Sequence, residues 1–153
     1  MVKRQDEARA LGFVSARVLE AATIFVGVAS LLAVVTLRQA GAGPDALVAG
    51  QALVALYDRV FLLGQSLIPV VNALLLGSLL YESRLVPRIL PVVGFVGAAL
   101  LLASDVAVLF GLWDRVSALS AIAALPIALW EFSLGVYLVV KGFKTSPITA
   151  GMV

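Results

Sequence analysis

Eight polar side chains sit in or beside long apolar runs and are the residues that could carry chemistry: Arg17, Glu20, Asp58, Arg59, Gln65, Asn72, Asp105 and Glu131. In a bilayer each charge among them would cost about 2.5–3.5 kcal/mol at the centre, so a partner, a hydrated path or a function must offset it. Asp58, Gln65 and Asn72 follow one another at intervals of seven residues. A straight helix drifts only about 20° per heptad, which predicts one polar seam along the helix face. Such a seam could conduct protons or a small solute, or it could glue helices together at about 0.6–2 kcal/mol per hydrogen bond. Pro69 leaves the carbonyl of Gln65 without its helical donor, which predicts a kink there, and Pro126 predicts another in the last run.

Glu131 shares a stripe with Ala124, Ala128 and Gly135, and small residues at helical spacing predict an inward, close-packed face. Counted back from Lys141, Glu131 lies about 15 Å from the end of its run. The basic residue nearest in depth is Arg17, so an Arg17–Glu131 contact is expected, with Glu20 competing for the same cation. At the other membrane face Asp105 lies roughly 10 Å inside its run, level with Asp58 and Arg59, and an Arg59–Asp105 pair is expected. Ala99, Ala103, Ala107 and Gly111 form a small-residue ridge that predicts a second packing face on that helix.

Enzymatic alternatives fall away on composition. The chain has no Cys and no His, which removes disulfides, thiol nucleophiles and imidazole acid/base catalysis. Gly64-Gln65-Ser66 offers a serine without its base. Asp58 and Asp105 could share a proton as a carboxylate dyad, but Ser104 stands where the glycine of the usual glycine-aspartate motif belongs. No phosphate loop, dinucleotide fingerprint or carboxylate-rich metal site is present. The sequence therefore predicts no catalytic residue, no cofactor and no metal, and a protein that is not an enzyme.

The elements that hold these residues follow from the apolar content. Of 153 residues, 62% are hydrophobic and 13% charged, with mean hydropathy +1.10, against about 25% charged in soluble domains. Four runs, residues 18–37, 60–80, 91–112 and 119–140, reach the roughly 20 residues that a bilayer requires. The third has Ser104 and Asp105 as its only polar side chains and no face for water. The predicted architecture is all-α: a polytopic bundle of four membrane-spanning helices in a single domain. The first run is longer than the 7–15 residues of a signal-peptide core and is expected to be retained as an anchor.

Lys3, Arg4, Arg9, Arg84, Arg88, Lys141 and Lys144 fall on one side of these spans, against Arg38 and Arg115 on the other. By the positive-inside rule both termini face the cytoplasm, in a bacterial inner membrane. That rule accounts for the net charge of +2, and no nucleic-acid partner is expected. The partners expected are the lipid bilayer and either a second copy or another membrane subunit.

Several strings resemble a known family: Arg17-Val18-Leu19-Glu20-Ala21, Asn72-Ala73-Leu74-Leu75-Leu76-Gly77 running to Tyr81, Arg84-Leu85-Val86-Pro87-Arg88, and above all Leu125 to Phe132 with Lys141-Gly142-Phe143-Lys144. Together they resemble the bacterial integral-membrane proteins grouped as domain of unknown function 4386, over nearly the whole chain. The resemblance implies a helical multi-pass membrane protein and implies no activity or catalytic residue. It matches the later four spans of such proteins. Without the earlier spans, Arg17, Glu20 or Glu131 would lose partners and a packing face would be left open, which implies either oligomerisation or a destabilised product.

Overall fold

A computed structural model describes residues 5–41 and 43–144. Lys3, Arg4 and Pro147 lie outside the described residues. Among those described, the chain is helical throughout: α1 (Glu7–Gln39), α2 (Pro44–Phe61), a π-helical turn (Leu62–Leu67), α3 (Ile68–Ser83), α4 (Ile89–Leu109) and α5 (Ala118–Lys141). Since α2, the π turn and α3 run on as one helix of 40 residues, there are four rods long and apolar enough to cross a membrane. The polytopic bundle is formed, and its first two rods extend well beyond their hydrophobic runs.

Local chemistry sets the ends. The Asp6 carboxylate accepts a hydrogen bond from the Arg9 amide at 2.9 Å and caps α1; that bond, reinforced by the Arg9 side chain, holds the Asp6 carboxyl below the usual range. Gly41 turns the chain with φ +60°, and Pro44 starts α2. Ser117 caps α5 by accepting from the Ser120 amide at 3.2 Å. At Pro69, where a kink is expected, the helical ladder widens into the π turn that ends just before it, and Pro69 has no N–H to donate to Gln65. At Pro126 the helix continues without a break.

The rods pack as a row, α1 against α2 and α3, α3 against α4, and α4 against α5. The two outer rods α1 and α5 have no extended contact with each other. The core lies among α3, α4 and α5, where Ala73, Leu80, Ala98, Leu101, Trp130 and Leu134 close over one another. Two glycines set the α4–α5 spacing. A Cβ on Gly94 would stand 2.6 Å from the Trp130 ring, and one on Gly97 would stand 2.6 Å from the Ile127 backbone nitrogen. The packing face of α4 is therefore Gly94, Gly97, Ala98 and Leu101, and the expected ridge is largely wrong: Ala99, Ala103 and Gly111 are exposed, Ala107 alone being buried. Glycine admits a ring or a backbone where an alanine methyl would not. On α5 the same correction holds. Ile127, Trp130 and Leu134 face the core, whereas Ala128, Glu131 and Gly135 lie on an exposed flank.

Candidate functional site

Two polar clusters are built into this frame. At the first, Arg17 on α1 reaches across to α5, Nη2 to Glu131 Oε1, at 2.7 Å. Its Nη1 donates to Glu20 Oε2 at 2.9 Å, and the same Glu20 oxygen accepts from Asn72 Nδ2 on α3 at 2.7 Å. The expected Arg17–Glu131 contact is formed, and Glu20 shares the guanidinium instead of displacing Glu131. Asn72 as a member of this cluster could have been found from depth, since it lies on the span adjacent to Glu20. The side chains of Arg17 and Glu131 are 39% and 41% exposed while that of Glu20 is 15% exposed, so the cluster has an inner amide-carboxylate half and an outer ion pair. Glu131 does not point inward, because Trp130 next to it takes the core position over Gly94.

The second cluster lies where α4, α5 and the π turn meet. Arg115, in the loop before α5, pairs with Asp58 through Nη2 at 2.7 Å. Its guanidinium stacks 4.4 Å from the centre of the Phe61 ring. Ser66 on the π turn donates to Asp105 Oδ1 at 2.5 Å. Asp105 is 5% exposed, and its Oδ2 is buried without a partner. A cavity of about 300 Å³ opens here, lined by Ser66, Ser104, Asp105, Arg115, Ser117 and Ser120 among apolar neighbours.

The Arg59–Asp105 pair is not formed. Among the described residues Arg59 makes no ion pair; it lines a separate cavity with Asp58, Trp113 and Asp114. Loop geometry explains the difference, since the turn after α4 carries Arg115 back onto Asp58, a distance that depth along straight helices does not encode. The seam of Asp58, Gln65 and Asn72 is also broken. Asn72 meets Glu20 on α1, and Gln65 Nε2 lies beside Gly27 on α1, whereas Asp58 turns to Arg115. The π turn, with its wider repeat, falls between Asp58 and Asn72 and rotates one half of the rod against the other. Asp58 and Asp105 have separate partners, Arg115 and Ser66.

A family model described as "Domain of unknown function (DUF4386)" matches residues 1–142. No curated protein and no solved structure matches the chain.

Proposed function

We propose that this chain, which belongs to the family described as Domain of unknown function (DUF4386), is a non-enzymatic component of a bacterial inner-membrane assembly that docks laterally through the flank between α1 and α5. One observation carries the reading: the Arg17–Glu131 pair, with side chains 39% and 41% exposed, lies on an open flank between two rods that have no extended contact with each other. A guanidinium and a carboxylate facing hydrocarbon are costly, and cover by protein removes that cost. The flank is also shaped for close approach. Ala128 and Gly135 are exposed beside Glu131, and a Cβ on Gly135 would meet nothing within 4 Å.

The occupant is a second copy. A two-fold axis along this flank would set Arg17 of each chain against Glu131 of the other, so both charges stay paired when the interface closes. Disulfide trapping in native membranes tests this in a thiol-free background. Gly135→Cys is expected to give a covalent dimer, and Ser133→Cys, two residues away on the far side of α5 and also exposed, to give none. Equal trapping at both positions, or at neither, overturns the reading.

Support for both termini on the cytoplasmic side comes from charge. Arg9, Arg84, Arg88 and Lys141 lie at the helix ends of one side of the bundle, Arg38 and Arg115 at those of the other. Cysteines at Gly43 and Lys144 should be labelled from opposite sides by an impermeant reagent. A second reading, carriage of a proton or small solute, is favoured by the unpartnered Asp105 oxygen in its cavity.

A further inference from the structure

We infer that the cavity between the π turn, α4 and the start of α5 binds a small zwitterion of the amino-acid type, its ammonium on Asp105 and its carboxylate on Arg115 and the first turn of α5. Asp105 supplies the first half. It is 5% exposed, one oxygen is taken by Ser66, and Oδ2 has no partner. No cation pairs with it among the described residues. A carboxylate so placed lacks a counter-charge, and an ammonium would supply one while donating further hydrogen bonds to the hydroxyls of Ser104 and Ser120, which line the same space.

The opposite wall has the opposite sign. Arg115 lines the cavity with three of its features visible: one ion pair to Asp58, one ring face on Phe61, and a guanidinium that carries five donors in all. Beside it, α5 begins at Ala118, and the first amides of a helix have no intrahelical acceptor and carry its positive end. The Ser117 hydroxyl satisfies the Ser120 amide, and the polar groups that this first turn presents to the cavity are the Ser117 and Ser120 hydroxyls. A simple cation would meet Arg115 and the helix end; a simple anion would meet Asp105. A dipolar ligand suits both.

Size and lining agree. About 300 Å³ accommodates a small amino acid, and Leu101, Val108 and Val116 give the space apolar walls for a short side chain. This cavity is remote from the α1–α5 flank in its residues, so the inference stands whether or not the chain dimerises.

Calorimetric titration of the full chain in detergent micelles with glycine, L-alanine and L-valine tests it, with n-butylamine, butyrate and sodium chloride as partial probes. At least one amino acid should saturate one site, with n-butylamine and butyrate each at least tenfold weaker. Asp105→Asn and Arg115→Gln should each weaken binding at least tenfold with the helical circular-dichroism signal unchanged. Should either fail to fold, Ala121→Phe, which fills the cavity from an exposed position on α5, should abolish the heat. Absence of saturation by every amino acid, a half-ligand or sodium alone matching the zwitterion, or undiminished binding to Ala121→Phe overturns the assignment.

Discussion

Arg17 and Arg115 each close an ion pair of 2.7 Å between elements far apart in sequence, yet the carboxylates around them are treated in opposite ways. Around Arg17 both carboxylates are engaged: Glu131 and Glu20 each accept from the guanidinium, and Asn72 adds a donor to Glu20. Around Arg115 the nearer carboxylate, Asp58, takes the cation, and the deeper one, Asp105, is left with a hydroxyl on one oxygen and nothing on the other. A shared cation makes the first cluster a clasp. An uncompensated oxygen beside open volume makes the second a receptor. The same residue types thus yield rigidity where every acceptor is filled and a binding capacity where one is not.

The largest expected effect breaks the clasp. Arg17→Ala leaves Glu20 and Glu131 without their cation, and because Glu20 is only 15% exposed, stripping it of that partner costs about 3 kcal/mol. Thermal unfolding in detergent should fall accordingly, and Glu20→Gln with Glu131→Gln in the same chain should recover most of it. A loss below about 1 kcal/mol would mean that the cluster decorates the bundle without holding it. A smaller loss, about 1 kcal/mol, is expected for Glu131→Gln, because the amide oxygen still accepts from Arg17 while the charge is gone. An unchanged melting curve for Glu131→Gln would remove the α1–α5 ion pair from the stability of the fold.

The clasp was legible in the sequence and the receptor was not, for a geometric reason. Arg17 and Glu131 sit on helices whose depth can be counted residue by residue from their charged ends, and at 1.5 Å per residue the count brings them level. Asp105 has a calculable depth as well, but its partner comes from a π turn, and its neighbour Arg115 from a loop that folds back. Neither departure follows the period of a straight helix. The α4 packing face was misjudged for a related reason: the ridge of Ala99 and Ala103 and the pair Gly94 and Gly97 are both small at helical spacing, and only the bulk of Trp130 and the backbone of Ile127 choose between them. Span number and helical class needed none of this, because hydrophobic length alone determines them.

The smallest expected effect is also the sharpest for the comparison, since its sign is predicted to reverse. If Asp105 belonged to a satisfied clasp, Asp105→Asn would destabilise the protein as Glu131→Gln does. Instead the substitution removes a charge with no counter-ion, keeps an oxygen to accept from Ser66, and places an amide where Oδ2 had no donor. Stability in detergent, read by thermal unfolding, should therefore stay within about 1 kcal/mol of the parent and move upward if it moves. A fall comparable to that of Arg17→Ala would show that Asp105 is already compensated in the folded protein, and the contrast between the two clusters would be lost. A gain in stability coupled to loss of zwitterion binding would locate the cost of the bare oxygen in the function it serves, as expected where a site is held ready at the expense of the fold.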